Sequence, residues 1–185
     1  MDILRFNMQW MTFNVSLALF GVLFGFLFLY SKSLFLKVIF FILWLIFIPN
    51  TIYLVTDLKW LPEQFPKLDS VNKIYLLIQY LILFLLGIIT FFLGLYPLEK
   101  FLSKPKLRAK ASKELIIFLA NYLIAFGVVL GRVERVNSWD IFTNFQQTLS
   151  SILNTFYSKE DIIFVLLFGT FINILYFGWK KAFKI

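Results

Sequence analysis

The apolar residues of this sequence fall into five long blocks bounded by charged clusters. The blocks extend over residues 10–30, 34–55, 74–96, 115–131 and 162–179. A helix needs about 20 residues to cross the ~30 Å hydrocarbon core of a bilayer, and each block is close to that length or longer. The sequence therefore predicts five transmembrane spans.

Composition and pattern both favour helices for these spans. Hydrophobic residues make up 61% of the 185 positions and charged residues 15%, whereas soluble domains carry about 25% charged residues. The period-two alternation of a membrane barrel is missing, and open strand edges cannot be satisfied in lipid. We expect an all-α fold, a polytopic helical transmembrane bundle in which residues 1–185 form a single membrane domain.

The sequence contains neither cysteine nor histidine. It therefore lacks thiolate nucleophiles, disulfides, cysteine-based metal sites and the most common general base. We expect no metal site and no cofactor.

The basic residues predict the orientation of the chain. One side of a five-span bundle would hold the first and third connections and the C-terminal tail, where the acidic residues are Glu99 and Glu114. The eleven basic residues of that side are Lys32, Lys37, Lys100, Lys104, Lys106, Arg108, Lys110, Lys113, Lys180, Lys181 and Lys184. Cytoplasmic loops are enriched in Lys and Arg, so we expect the N-terminus outside and the C-terminus in the cytoplasm.

The excess of Phe, Ile, Leu and Lys is typical of a bacterium with an AT-rich genome, and we expect a location in the bacterial plasma membrane. We interpret the formal charge of +8 as a determinant of topology and as a contact with membrane lipids that carry anionic headgroups. We expect no nucleic-acid partner.

The segment over residues 138–157 is predicted to form an amphipathic helix rather than a sixth span. Its apolar residues recur at steps of three and four: Phe142, Phe145, Leu149, Ile152, Leu153 and Phe156. Polar, mostly uncharged residues occupy the positions between them. We expect the helix to lie at the outer membrane interface, with packing over the bundle as the alternative.

A first polar motif ends the second span. If the helix resumes after Pro49, then Asn50, Tyr53 and Asp57 share one face. Pro49 has no N–H to donate to the carbonyl of Leu45, so that acceptor needs another partner. Asp57 lies near the negative end of the helix, and we expect a cationic partner for it.

A second polar motif ends the fourth span, at the same predicted outer boundary. Arg132 and Arg135 are three residues apart and could pair with Asp57. The predicted ligand-binding cluster therefore comprises Asn50, Tyr53, Asp57, Arg132, Arg135, Asn137 and Asp140. Two alternatives stay open: the spacing of Asn137 and Asp140 fits a helix cap, and the arginines suit a structural ion pair or contact with headgroups.

Four amide side chains lie inside the predicted spans: Asn14, Gln79, Asn121 and Asn173. Amides within a membrane commonly form hydrogen bonds between helices. We interpret these four as interhelical contacts rather than as ligand-binding groups.

The segments over residues 44–58 and 131–140 resemble the signatures of a bacterial family of predicted membrane proteins, domain of unknown function 1361. The resemblance includes the entry to the first span, with Asn14, and the order of the spans, so it covers nearly the full chain. Where the third span of that family opens with an aromatic-aromatic-Asp triplet, this chain has Lys73, Ile74 and Tyr75. The resemblance implies the architecture and the choice of residues, and it implies no reaction.

Three functions are compatible with these observations. The first is binding or transport of an anionic envelope lipid or cell-wall precursor, because two arginines on one face match phosphate geometry. The second is a structural or assembly role with a membrane-protein partner or in a homo-oligomer. The third, which we favour least, is an intramembrane enzyme with Asp57 and Asp140 as acid and base or with Tyr53 assisting proton transfer. The sequence does not identify the catalytic residues of such an enzyme.

Overall fold

The computed structural model describes residues 3–103 and 110–183, and of residues 110–112 and 183 it describes the backbone alone. In these ranges the chain forms no strand. Its α-helices are α1 (Ile3–Tyr30), α2 (Leu34–Phe47), α3 (Pro49–Thr56), α4 (Leu61–Gln64), α5 (Ser70–Leu102), α6 (Lys110–Arg132), α7 (Asp140–Thr143), α8 (Phe145–Tyr157) and α9 (Lys159–Phe183). The short 3-10 helices Asp57–Trp60 and Phe65–Lys67 flank α4. The predicted all-α fold is confirmed.

Five helical segments are long and apolar enough to cross a membrane: Ile3–Tyr30, Leu34–Lys67, Ser70–Leu102, Lys113–Arg132 and Lys159–Ala182. They coincide with the five predicted spans, so this is a multi-pass membrane protein. Each segment is longer than the predicted span, because the helices continue into polar residues at their ends. Of the predicted cytoplasmic basic residues, those outside the described residues are Lys104, Lys106, Arg108 and Lys184.

The chain divides into two compact units, Met1–Pro97 and Leu98–Ile185. In the first unit, α1 packs against α2 and α3. The core of this unit includes Met11, Ala18, Leu54, Leu76, Tyr80 and Leu83. The single membrane domain expected from the sequence remains a prediction.

The second span changes from α2 to α3 at Pro49, and the helix resumes after the proline as the motif requires. The two carbonyls just before Pro49 have side-chain donors. The Asn50 amide donates to the carbonyl of Phe47 (3.0 Å), and the buried Thr51 hydroxyl donates to the carbonyl of Ile48 (2.7 Å). The Ile48 carbonyl also accepts from the Thr51 main-chain N–H (3.1 Å), so the side chains add hydrogen bonds at the junction.

Gly21 of α1 lies against this junction. A Cβ atom at Gly21 would lie 2.9 Å from the carbonyl oxygen of Phe47 and 3.2 Å from the Cα atom of Ile48. Two backbones approach this closely only where a side chain is missing. Trp44, on α2, is buried and donates from its indole nitrogen to the carbonyl of Gly94 on α5 (2.8 Å), so the three helices are joined at this level.

In the second unit, α6 packs against α9 through a buried pair of amides. The Asn121 Nδ2 donates to the Asn173 Oδ1 (2.9 Å), and the Asn173 Nδ2 donates to the carbonyl of Gly169 (3.0 Å). Asn121 is fully buried and Asn173 nearly so. This geometry confirms the interhelical role predicted for both residues.

An ion-pair cluster around Glu99 joins the ends of three helices in the second unit. The Glu99 carboxylate accepts from the Lys180 ammonium, from the Lys113 ammonium (3.1 Å) and from the Tyr176 hydroxyl (2.6 Å). Lys113 also donates to the hydroxyl of Ser103 (2.9 Å). Glu99 therefore links the C-terminal end of α5 to α6 and α9.

The predicted amphipathic helix is present as α7 and α8, separated at Asn144. Helix α8 packs against α6 and α9, and its residues fall on three faces. The buried face carries small hydroxyl side chains: Thr148, Ser151 and Thr155. An exposed apolar face carries Phe145, Leu149, Leu153 and Phe156, and an exposed polar face carries Gln146, Gln147, Ser150 and Asn154. A helix with protein-facing, apolar and polar faces suits a position at a membrane interface.

Candidate functional site

In the first unit, the predicted site residue Asp57 follows the last residue of α3 and starts the 3-10 helix before α4. Only 2% of Asp57 is exposed. The Asn14 amide of α1 donates to its Oδ2 atom (3.2 Å). Asn14 therefore makes the interhelical hydrogen bond predicted for it, and its partner is the carboxylate of the first polar motif.

The other predicted residues of this motif make local contacts. The Asn50 amide donates to the Phe47 carbonyl (3.0 Å), and the main-chain carbonyl of Tyr53 accepts from the Thr56 hydroxyl (2.6 Å). Both Asn50 and Tyr53 are half-buried. The Asp57 side chain contacts another helix of the first unit, whereas the Asn50 contact stabilises the junction at Pro49.

A second polar network adjoins α4 and was not predicted from the sequence. Asn7 and Gln64 exchange two amide hydrogen bonds, with N···O distances of 2.7 and 3.1 Å. The Trp10 indole also donates to the Asn7 Oδ1 (3.0 Å), and the Tyr80 hydroxyl donates to the Gln64 Oε1 (3.2 Å). Asn7 and Tyr80 are almost completely buried. The network fixes the position of the connection between the second and third spans.

One signal for this network was present in the sequence. Asn7, Trp10 and Asn14 have the spacing i, i+3, i+7, which places them on one face of α1. Asn50, Tyr53 and Asp57 have the same spacing. The predicted first span began at residue 10 and therefore excluded Asn7, so this polar stripe was not recognised.

In the second unit, the two arginines lie at the end of α6. Arg132 is the last residue of the helix and Arg135 lies beyond it, so the expectation that the two arginines share a helix face is wrong. Arg135 is exposed and has a φ of 56°. Within the described ranges it is the only non-glycine residue with a positive φ. The Val136 amide donates to the carbonyl of Leu130 (3.0 Å) and closes the helix end. A residue in the left-handed region is common just past a helix C-terminus, but glycine or asparagine usually occupies that position.

Asn137 and Asp140 are brought together by the turn that leads into α7. The Asp140 Oδ2 accepts from the Asn137 main-chain N–H (2.6 Å) and from the Asn137 side-chain amide (3.1 Å). The Asp140 N–H in turn donates to the carbonyl of Asn137 (3.0 Å). The carboxylate therefore closes the turn that precedes α7, whose N-cap residue is Trp139 and has no side-chain cap. Asn137 and Asp140 make a local structural contact, but they do not form the helix cap that their spacing predicted.

The structure thus pairs Asn14 with Asp57 in one unit and Asn137 with Asp140 in the other. The predicted ion pair of Asp57 with the two arginines links residues of different units, and it stays a prediction. Within residues 3–103 and 110–183, no group of three or more carboxylates is arranged to hold a metal ion.

The comparison with protein families identifies the relationship of this chain. A family model described as "Protein of unknown function (DUF1361)" matches residues 13–175. No curated protein and no solved structure matches the chain significantly. The match covers both polar motifs and all five spans in whole or in large part.

Proposed function

The chain belongs to the DUF1361 family of proteins of unknown function, and we propose that it binds the phosphate group of an anionic membrane lipid or lipid-linked envelope precursor. The binding groups are the guanidinium groups of Arg132 and Arg135. We expect this loop on the extracytoplasmic side of the membrane, because the basic residues of the sequence are concentrated in the connections of the other side.

The observation that carries the proposal is the backbone conformation of Arg135. For a residue with a Cβ atom, the left-handed conformation costs about 1–2 kcal/mol relative to the right-handed one. Glycine would occupy the position without this cost. A strained residue at a surface loop is a reason to look for a function of its side chain.

The surroundings of Arg135 support a role in binding. Its side chain is exposed, and no ion pair involves it among the residues that the structure describes. The nearest acidic side chain along the loop toward α7, Asp140, already accepts two hydrogen bonds from Asn137. The negative end of the α6 dipole favours cations near the end of the helix, where both arginines lie.

Phosphate suits these groups better than other anions of an envelope. A guanidinium group presents parallel N–H donors that bind two phosphate oxygens at once. Arg132, three residues earlier at the end of α6, supplies a second guanidinium group. Contacts of this kind make binding specific for a phosphate headgroup, beyond the general attraction between basic residues and anionic lipid.

The experiment is a binding titration of the purified full chain in an uncharged detergent. The probes are short-chain phosphatidylglycerol, phosphatidylcholine of the same chain length, and inorganic phosphate. Hydrogen bonds to charged groups contribute about 1.5–3 kcal/mol, so Arg135→Ala should weaken phosphatidylglycerol binding roughly 10- to 150-fold. Binding of inorganic phosphate with the same loss in Arg135→Ala would identify a free anion, rather than a lipid, as the ligand.

Arg135→Gly separates the side chain from the backbone. This variant should unfold at the same temperature as the natural chain or at a higher one, because glycine removes the left-handed strain, yet it should lose binding as Arg135→Ala does. If Arg135→Gly bound phosphatidylglycerol normally, the arginine would serve only the helix end. If both Arg132→Lys and Arg135→Lys bound phosphatidylglycerol normally, bidentate binding of phosphate by the guanidinium groups would be contradicted.

Two controls complete the design. Lys159→Ala removes an exposed positive charge near the start of α9, and it should leave phosphatidylglycerol binding unchanged. The native chain has no cysteine, so a cysteine introduced at Gln147 can report the side of the membrane. Labelling of that cysteine by a membrane-impermeant maleimide in intact cells is expected, and labelling only after lysis would contradict the proposed orientation.

A further inference from the structure

Helix α8 turns its hydroxyl face, and not its apolar face, toward the rest of the second unit. The buried residues are Thr148, Ser151 and Thr155, and the Thr155 hydroxyl donates to the Ser151 carbonyl within the same helix (3.0 Å). A helix that packed over the bundle would bury its large apolar side chains there instead. The apolar face of α8 therefore has its main partner elsewhere.

The composition of α8 defines the chemistry of that partner. Its apolar face presents Phe145, Leu149, Leu153 and Phe156 in one exposed stripe. Exposed apolar patches of this kind mark contacts with another protein or with a membrane. Residues 141–158 include no charged residue, so the contact does not depend on charge.

The apolar face of α8 continues the lipid-facing surface of α6. Leu119, Leu123 and Phe126 have the spacing i, i+4, i+7, so they share one face of α6, and both leucines are exposed. These residues belong to a membrane-spanning segment. The ring of Phe156 lies against the ring of Phe126, with 5.1 Å between the centroids. The lipid that surrounds this face of α6 therefore also reaches the apolar face of α8.

The same contact gives the depth of α8 relative to the arginines. Phe126 precedes Arg132, the last residue of α6, by six residues, about 9 Å along the helix axis. The headgroup region of a bilayer is about 5–8 Å thick on each side. When Phe156 lies at the edge of the hydrocarbon core, Arg132 therefore lies at the level of the lipid headgroups.

We propose that α8 lies parallel to the membrane with its apolar face embedded in the leaflet at this end of α6, and that the two arginines there meet phosphate groups carried by lipids of that leaflet. The ligand then reaches Arg132 and Arg135 from within the membrane rather than from solution, which deepens the proposed function and rests on it for the identity of the ligand. The embedding itself depends on apolar contact alone.

The test measures depth with single cysteines, which the cysteine-free chain permits. Cysteines at Leu149, Gln147 and Val133, all exposed, carry a fluorophore in the full chain. The chain is placed in phosphatidylcholine vesicles with nitroxide quenchers on the headgroup or part-way along the acyl chain. Leu153→Cys repeats the measurement one turn further along the apolar face, and thermal unfolding checks that each variant is folded.

The expected pattern follows from the geometry. The label at Leu149 should lie deeper than the label at Gln147 by roughly 8 Å or more, because a helix with its side chains is about 10 Å across. It should lie deeper than the label at Val133, next to Arg132, by about 9 Å. Replacing part of the phosphatidylcholine with phosphatidylglycerol should leave these depths unchanged.

Three results would overturn the embedding of α8. The first is an equal depth for the labels at Leu149 and Gln147. The second is a Leu149 label that is shielded from the acyl-chain nitroxide while Leu149→Cys forms disulfides between copies, since a second copy would then cover the apolar face. The third is a depth that increases with phosphatidylglycerol, which would show attachment through charge.

The depth measurement and the binding titration fail separately. The depths are measured without anionic lipid, and Arg135→Ala should preserve them. The expected depths in a chain whose binding of phosphatidylglycerol is unaffected by Arg135→Ala would support the embedding of α8 and contradict the phosphate site. A chain that loses this binding in Arg135→Ala but holds the Leu149 label in water would keep the phosphate site and contradict the embedding.

Discussion

Gly21 offers a direct test of how α1 meets the Pro49 junction. In Gly21→Ala, the new methyl group would lie 2.9 Å from the Phe47 carbonyl oxygen and 3.1 Å from its carbon. Both contacts are with backbone atoms, which cannot rotate away as a side chain can. Helix α1 must therefore move away from the junction by a few tenths of an ångström or more.

A second glycine supplies a matched control. A Cβ atom at Gly178 of α9 would meet no atom within 4 Å. Replacing glycine by alanine inside a helix stabilises it by about 0.8–1 kcal/mol, and this gain is common to both variants. Overpacking costs about 1–3 kcal/mol and applies to Gly21→Ala alone. The difference in free energy of unfolding between the two variants should therefore be about 1–3 kcal/mol.

The measurement is thermal unfolding of both variants in the same detergent. Gly178→Ala should unfold at the temperature of the natural chain or above it, and Gly21→Ala below Gly178→Ala by roughly 2–12 °C for a chain of this size. If the two variants unfolded at the same temperature, the close approach of α1 to the junction, and with it the placement of Asn14 beside Asp57, would be refuted.

Two further predictions concern the second unit. Glu99→Gln should lower the free energy of unfolding by about 2 kcal/mol in a denaturation titration, because Lys113 and Lys180 lose their half-buried counter-charge. The control is Glu114→Gln, at an exposed position. Equal effects of the two variants would refute a special role for Glu99. A double-mutant cycle of Asn121→Ala and Asn173→Ala should give a coupling energy of about 0.6–1.7 kcal/mol. Additive effects would show that the amides do not interact.

The spans could be predicted because each depends on a local property. An apolar run of about 20 residues has no alternative to a helix in lipid, and all five were found. The helix ends were predicted less well. Polar residues such as Asn7 and Gln64 carry no apolar signal, and they continue helical structure because their amides bind each other across the first unit.

The candidate site shows the same limit. The sequence identified Asp57 and Asn14 separately, but the hydrogen bond between them depends on the crossing of α1 and α3, which no local pattern contains. The backbone of Arg135 was equally hidden, since arginine is not a residue that usually takes a positive φ. A local contact between Asn137 and Asp140 could be predicted, because it depends on a spacing of three residues, although it closes a turn before α7 rather than capping the helix.

The proposed phosphate site follows from a physical rule about polar groups in a membrane protein. Several polar side chains here have partners within their own unit: Asn14 with Asp57, Asn7 with Gln64, and Asn121 with Asn173. Such pairs stabilise the packing of helices, and they leave little capacity for a ligand. Binding is therefore expected at polar groups that the fold holds in place at a cost. Arg135 meets this condition, because its backbone is strained and its side chain is exposed.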